Sequence, residues 1–229
     1  MVKLDSFELK EITIIKFPVH QENLYRSQRL EGGGTYHIYS AIFTVELVLY
    51  LSRQINQHST WKIGIVCPYL AQATLVEKML TALFPANSPV QIMVGTVHSF
   101  QGDEFDIILN LLNPPPTISS NIFLNNRNIL NVAISRAKDY LILLIPAIDG
   151  LEQITRLATI LKRNEIKPYF QELTAFDMEK IMFNQSNYIY ENSLFTPHQK
   201  INVYGKPTKK YEVRYDNSVV DIQIRGQLS

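Results

Sequence analysis

Short runs of consecutive apolar residues alternate with longer stretches in which apolar residues recur every three or four positions. A run such as 62–67, which Pro68 ends, is typical of a strand buried on both faces of a parallel sheet. The intervening period of about 3.6 residues predicts helices that cover such a sheet. Strands are predicted at 12–17, 62–67, 90–97, 106–112 and 140–145, and helices at 41–55, at 71–84, from about 129 and at 151–163.

This alternation of strands and helices predicts an α/β domain with a mostly parallel sheet flanked by helices. After Pro168 the apolar period changes to two: Tyr211, Val213 and Tyr215 alternate with polar residues, and a turn is predicted at 216–218. The predicted organisation is an N-terminal strand and linker at 1–35, the α/β domain at 36–168, and a small β-rich appendage at 169–229.

The composition is that of a globular protein, with 46% hydrophobic and 19% charged residues. The net charge of +1 gives no overall field that would attract nucleic acid or a membrane, although a local groove can still be basic. The single cysteine, Cys67, excludes an intrachain disulfide. Because secretory and membrane-spanning patterns are also absent, we expect a cytoplasmic protein. The five histidines lack the spacing of metal ligands, so no metal site is predicted.

Three sequence motifs follow one another along the chain: PYxxQ at 68–72, TVHSFQGDE at 96–104 and LNVAISRAK at 130–138. In this order they resemble motifs IV, V and VI of superfamily 1 DNA and RNA helicases, in the branch that contains the nonsense-mediated-decay helicase. The resemblance covers about residues 10–165 and implies the second of two RecA-like domains. The phosphate-binding pattern G-x-x-x-x-G-K-[ST] does not occur in the sequence, so half of the nucleotide site is missing.

The resemblance implies that Arg136 is the catalytic residue, an arginine finger that reaches the γ-phosphate of ATP. A planar and permanently charged guanidinium suits the negative charge that develops during phosphoryl transfer. A lone helical arginine is more often a surface residue, and the surrounding motif reverses that interpretation. Lys138 is either a second basic residue of the site or part of a solvated face, because two positions on one helix point about 200° apart.

The resemblance also assigns nucleotide binding to the end of motif V, namely Gln101, Gly102 and Glu104. A carboxylate such as Glu104 can accept hydrogen bonds from the ribose hydroxyls. The alternative for Glu104 is a surface acid. Asp103 departs from relatives, which often have a basic residue there, and it adds negative charge beside the nucleotide.

The nucleic-acid side is implied to comprise the motif IV loop and the start of motif V. Short hydroxyl donors hold phosphates without reading sequence. These residues are Pro68, Tyr69, Gln72, Thr96, His98 and Ser99. Two further departures are Cys67, where relatives have threonine, and His37 or Ile38, where relatives have an arginine that contacts the phosphates.

The C-terminal tail allows two interpretations. Between 200 and 225 there are six basic and three acidic residues, interleaved with Tyr204, Tyr211 and Tyr215. This pattern suits either a hairpin packed on the core or a surface that follows a nucleic-acid backbone.

The leading hypothesis is therefore the C-terminal motor domain of an ATP-dependent superfamily 1 helicase. It would need ATP, Mg²⁺ and an N-terminal RecA-like domain, expected before Met1 or in a separate subunit, and it would bind single-stranded nucleic acid, with DNA favoured. Alone it would not hydrolyse ATP, because it lacks the phosphate loop and the acidic magnesium-binding motif. The alternative is a non-catalytic nucleic-acid-binding or regulatory module derived from a helicase domain.

Overall fold

The computed structural model of the chain describes residues 3–4, 7–20, 23–29, 34–55, 60–84, 88, 90–100, 102–116, 131–132, 134–148, 152–203, 206–215 and 218–225. Single turns of 3-10 helix lie at Asn23–Tyr25, Val97–Phe100 and Lys167–Tyr169. The α-helices are α1 (Ile38–Gln54), α2 (Leu70–Leu83), α3 (Glu152–Leu161), α4 (Ala175–Phe183) and α5 (Tyr188–Asn192). The strands are β1 (Lys3–Leu4), β2 (Phe7–Glu8), β3 (Ile12–Phe17), β4 (Ser27–Arg29), β5 (Thr35–His37), β6 (Lys62–Cys67), β7 (Gln91–Thr96), β8 (Phe105–Leu111), β9 (Ala137–Pro146), β10 (Phe170–Thr174), β11 (Ser193–Val203), β12 (Lys206–Tyr215) and β13 (Ser218–Arg225).

The main sheet has six strands in the order β10-β3-β9-β8-β6-β7, and every neighbouring pair is parallel. Parallel neighbours need crossover connections, and α1, α2 and α3 lie in three of them. The predicted class is thus confirmed: this is a parallel α/β sheet with helices, of the RecA-like type. Because all strands run the same way, their carboxyl ends share one edge of the sheet and their amino ends share the other.

Both faces of the sheet are buried, as the continuous apolar runs predict. On β8, for example, Ile107 and Leu109 belong to one hydrophobic cluster, whereas Ile108 belongs to the other. The larger cluster includes most of α1, together with α2, α4 and α5. The smaller one includes Leu157 of α3 and Phe100 of the 3-10 turn that follows β7. The sheet is therefore the middle layer of three.

The sheet extends beyond the domain boundaries predicted from the sequence. β10 pairs in parallel with β3, with Phe170 opposite Ile12, so the first strand after 168 belongs to the main sheet. β3 itself lies between β10 and β9, and it is therefore an inner strand and not part of a leader. In the sequence FQELT of β10, the polar residues Gln171 and Glu172 follow one another and interrupt the apolar pattern that marks the other strands of the sheet.

Motif VI also differs from its prediction. Only part of the helix expected from about 129 is described. Residues 131, 132 and 134 are helical, and 135–136 form a turn. β9 then begins at Ala137, earlier than predicted. Arg136 therefore lies in the turn and Lys138 on a strand, and the 200° argument about a shared helix was wrong.

The C-terminal segment forms a separate antiparallel sheet in the order β11-β12-β13. Tyr215 pairs with Ser218 across the turn that the sequence predicts, so the hairpin is confirmed. A membrane span would need a longer and more apolar helix than any found in the described part of the chain.

A buried carboxylate ties α4 and α5 to α1. Glu179 on α4 is fully buried; it accepts hydrogen bonds from the Tyr39 hydroxyl and from the backbone N–H of Ile189, the latter at 3.2 Å. Buried donors without acceptors are costly, so this contact specifies how the segment after β10 packs.

We expect Glu179→Ala to lower the free energy of unfolding by about 3 kcal/mol, because two buried donors lose their acceptor at about 1–3 kcal/mol each. Urea denaturation measures this change. The matched variant Glu191→Ala removes an exposed carboxylate from α5 and should change stability by less than about 0.5 kcal/mol. Equal effects of the two variants would contradict the buried role.

Candidate nucleotide and nucleic-acid sites

Residues from motifs V and VI meet at the amino ends of two neighbouring strands. Glu104 immediately precedes β8, and Arg136 immediately precedes β9. These strands pair in parallel, with Phe105 opposite Ala137. The backbone N–H of Phe105 donates to the carbonyl oxygen of Arg136 at 2.9 Å. Strand pairing therefore brings Glu104 and Arg136 to one edge of the sheet.

Lys138 joins this group through an ion pair. Its Nζ lies 3.7 Å from Oε2 of Glu104, and the two side chains are 49% and 63% exposed. An exposed pair of this kind contributes less than about 1 kcal/mol, so either partner can exchange it for a ligand. Lys138 thus lies beside Glu104, where a nucleotide role remains an expectation.

Arg136 combines partial exposure with an unsatisfied donor. Its Nε is buried and has no hydrogen-bond partner among the described residues, while the side chain as a whole is partly exposed. Among the same residues, the ion pairs are Lys16 with Glu172 and Lys138 with Glu104, and neither involves Arg136. A guanidinium that is not neutralised by a carboxylate can pair with an anionic ligand.

The remaining residues of this edge are small, charged or exposed. Gly102 has φ of 96°, a conformation that glycine adopts without strain, and a Cβ there would meet no atom within 4 Å. Asp103 is exposed beside Glu104, and Gln101 lies outside the described residues. Ile134 of motif VI is 47% exposed, a feature that the sequence did not predict.

The opposite edge carries the start of motif V. Thr96 ends β7, opposite Cys67 at the end of β6, and His98 and Ser99 are exposed on the following 3-10 turn. Gly95 permits this turn, because a Cβ there would lie 2.7 Å from the Cβ of Ser99. Phe100, fully buried, anchors the end of the turn. The buried ring of Phe100 therefore fixes the turn that exposes the side chains of His98 and Ser99.

The motif IV loop contributes less surface than expected. Tyr69 is half-buried, and burial raises the pKa of its phenol to about 12, so the hydroxyl stays a donor. Pro68 is buried. Gln72 is fully buried: its Oε1 accepts the backbone N–H of His37 at 2.7 Å, and its Nε2 donates to the carbonyl of His37 at 3.3 Å. The structure thus contradicts the prediction that Gln72 contacts nucleic acid, because its amide joins α2 to the start of α1.

Two of the departures noted in the sequence turn out to be core residues. Cys67 is fully buried, and burial raises the pKa of its thiol above the usual range, so it offers no contact to a phosphate. His37 and Ile38 are also fully buried, next to Gln72 at the carboxyl edge. This edge is opposite the one that holds Glu104 and Arg136. His37 and Ile38 therefore lie away from Arg136, and the comparison with the arginine of relatives stays a prediction.

The two candidate sites lie on opposite edges of the sheet. Cys67 pairs with Thr96, and Val66 pairs with Asn110, so Thr96 is level with the end of β8. The length of β8 separates the edges by about 20 Å. The residues that the motifs assign to a nucleotide and those that they assign to nucleic acid are thus spatially distinct, although motif V contributes to both.

The parallel sheet, the paired motif V and VI ends and the exposed turn after β7 together define the second RecA-like domain of a superfamily 1 helicase. The family model described as "AAA domain" matches residues 7–147, and the chain belongs to this family. The resemblance stated from the motifs is therefore confirmed.

Parts of three curated proteins are similar in sequence to this chain. The chain is 37% identical over 97 residues to "Helicase SEN1" of Saccharomyces cerevisiae, and 29% identical over 119 residues to "Probable helicase senataxin" of Homo sapiens. It is 31% identical over 109 residues to "Replicase polyprotein 1ab" of Alphamesonivirus 1. These stretches are 41%, 52% and 46% of this chain but only 4%, 4% and 2% of the respective relatives.

The imidazole of His37, at the carboxyl edge of the sheet, is neutral in the folded protein. Its Nδ1 accepts the backbone N–H of Ser40 at 3.2 Å, so Nε2 carries the proton and donates to the carbonyl of Tyr25 at 2.8 Å. Burial lowers the pKa of His37 from 6.5 to about 4. Because the folded pKa is the lower one, the stabilisation is complete above pH 6.5 and is lost as pH falls towards 4.

We expect the stability advantage of the wild-type chain over His37→Asn to shrink by up to about 3 kcal/mol between pH 7 and pH 4, at about 1.4 kcal/mol per pKa unit. Asparagine keeps an acceptor for the start of α1 and does not titrate. Urea denaturation of both proteins across this range measures the difference. A constant difference would show that His37 does not remain neutral when buried.

Proposed function

We propose that the chain is the C-terminal motor domain of an ATP-dependent superfamily 1 helicase. In this proposal a second RecA-like domain provides most of the nucleotide site, and this chain provides the remaining residues. The observation that carries the proposal is the pairing of β8 with β9, which joins Glu104, Arg136 and Lys138 at one edge. The partner domain, in the same protein or a separate subunit, contributes the phosphate loop and the Mg²⁺ ligands.

Arg136 acts as the arginine finger. Its guanidinium stabilises the negative charge that spreads over the transferred phosphoryl group, an effect worth about 10³-fold or more in rate. Two observations support the role: the Arg136 side chain is partly exposed beside Glu104, and no ion pair among the described residues neutralises it. An arginine already paired with a carboxylate would be a poorer ligand for phosphate.

Glu104 accepts the ribose hydroxyls, and Lys138 adds positive charge near the phosphates. Their mutual ion pair is exposed and weak, so it can open when a nucleotide enters. The adjacent Gly102 lets the backbone turn towards the ligand, and Gln101 is assigned to the same group by the motif alone.

The exposed Ile134 supports a docking surface at this edge. An apolar side chain that is 47% exposed beside Ser135 and Arg136 fits a face that a second domain covers when the cleft closes. Closure of this kind would exclude water from the nucleotide and complete the catalytic group.

Single-stranded nucleic acid, with DNA favoured, binds at the carboxyl edge. Thr96, His98 and Ser99 provide donors for the phosphates, and the Tyr69 hydroxyl adds one beside them. Pro68 contributes shape only, since it is buried.

A second candidate function is a non-catalytic nucleic-acid-binding or regulatory module derived from a helicase domain. The exposed Asp103 favours it, because a second carboxylate beside Glu104 opposes the binding of an anionic nucleotide.

Nucleotide titrations of the purified chain separate these functions. We expect Arg136→Ala to weaken a non-hydrolysable ATP analogue by about tenfold or more while leaving ADP nearly unchanged, since only the former has a γ-phosphate. Glu104→Ala should weaken both nucleotides, because both have the ribose. The matched control Arg163→Ala removes an exposed arginine after α3 and should change neither affinity.

An ATPase assay on the same chain completes the test. The half-site predicts no turnover, with or without single-stranded DNA. Turnover that Arg136→Ala abolishes would overturn the half-site. Failure of the wild-type chain to bind any nucleotide, also when a partner RecA-like domain is added, would favour the non-catalytic module.

A further inference from the structure

We propose that the nucleic-acid track extends from the motif V turn onto an arginine-bearing ribbon that precedes α1. The ribbon comprises the 3-10 turn Asn23–Tyr25 with β4 and β5, and Tyr190 of α5 lies against it. The ligand is the same single strand that the proposed function assigns to Thr96, His98 and Ser99, so this inference rests on that function. Neither the ribbon's arginines nor Tyr190 belongs to a helicase motif in this sequence.

Hydrogen bonds fix the ribbon to the carboxyl edge of the sheet. β5 ends at His37, whose backbone N–H and carbonyl both bond the buried amide of Gln72 in the first turn of α2. The residue before that turn, Tyr69, follows β6, whose last residue pairs with Thr96. The ribbon is therefore joined through the motif IV loop to the proposed track.

The ribbon carries positive charge towards this loop. Between 23 and 29 the sequence NLYRSQR holds two arginines and no acid. Arg26 and Arg29 are both exposed, and the charge of Arg29 acts on Tyr69, where it opposes the rise in the phenol pKa. Because the whole chain carries only +1, these arginines are a local feature that suits a phosphate backbone.

An aromatic platform lies at the other end of the ribbon. Tyr190 is 43% exposed and stacks on Tyr25, with ring centroids 5.3 Å apart and ring planes at 5°. The hydroxyl of Tyr25 donates to Asn187 at 2.9 Å, and the exposed His20 packs against the same ring at 4.4 Å. The platform is thus pre-formed, and an exposed rigid ring is what an unpaired base needs for stacking.

Alternating phosphate and base contacts favour a nucleic acid over a protein partner. Arg26 and Arg29 suit phosphates. Tyr190 offers a flat ring close by, because it stacks on Tyr25, the residue before Arg26. The carboxylate of Glu191, next to Tyr190, accepts a hydrogen bond from the side-chain amide of Gln185. A protein partner would more often be met by a continuous apolar core, which this surface lacks among its described residues.

Fluorescence anisotropy with labelled oligothymidylate of about 15 nucleotides tests the inference. For the full chain, the double variant Arg26→Gln/Arg29→Gln should bind more weakly and reduce the slope of log K against log salt by about 1.4, at about 0.7 per lost phosphate contact. The matched control Arg53→Gln/Arg163→Gln removes two exposed arginines outside the ribbon and should leave affinity and slope unchanged.

Stacking is tested separately from charge. Tyr190→Ala should weaken binding by about tenfold without changing the salt slope, whereas Tyr190→Phe should bind like the wild type. Thermal denaturation of each variant checks that the fold is intact, and Tyr190→Leu, which keeps an apolar side chain but no ring, should also weaken binding and keeps the test valid if the alanine variant unfolds.

The outcomes distinguish this inference from the function on which it rests. If Thr96→Ala/Ser99→Ala weakens binding and the ribbon variants match their controls, the proposed function stands and the extension is wrong. If the wild-type chain shows no salt-dependent binding, both fail. If the ribbon variants and Tyr190→Ala behave as expected, the track includes the ribbon.

Discussion

The parallel pairing of β8 with β9 is the constraint on which the candidate chemistry depends. The bond from the Phe105 N–H to the Arg136 carbonyl joins the residue after motif V to motif VI. It leaves Glu104 and Lys138 within ion-pair distance, and among the described residues no carboxylate pairs with Arg136. A helix surface would not have joined these residues; the shared edge of a parallel sheet does.

That edge and the opposite edge of the sheet hold the two candidate sites. The sheet is rigid because it is buried on both faces, so its strands hold the surfaces about 20 Å apart. In the proposed function, a change at the nucleotide reaches the nucleic acid through rigid movement of the sheet.

The sequence predicted the sheet because buried parallel strands are long apolar runs, and the order of the motifs identified the family. It did not predict β10, a short strand interrupted by Gln171 and Glu172 that depends on pairing with β3. It assigned Gln72 to a ligand although the amide is used inside the fold, since a buried and an exposed glutamine look alike in a motif. It missed the ribbon, where stacking of Tyr190 on Tyr25 joins residues distant in the chain.

The separation of the two surfaces is the central claim, and backbone amide chemical shifts in the ¹⁵N-labelled chain test it most directly. Addition of a non-hydrolysable ATP analogue should shift the amides of Glu104, Phe105 and Lys138 and leave those of His98 and Ser99 nearly unchanged. Addition of an oligothymidylate should give the reverse pattern. Nucleotide-induced shifts centred on His37 and Gln72, or the same set of shifts with both ligands, would contradict the account.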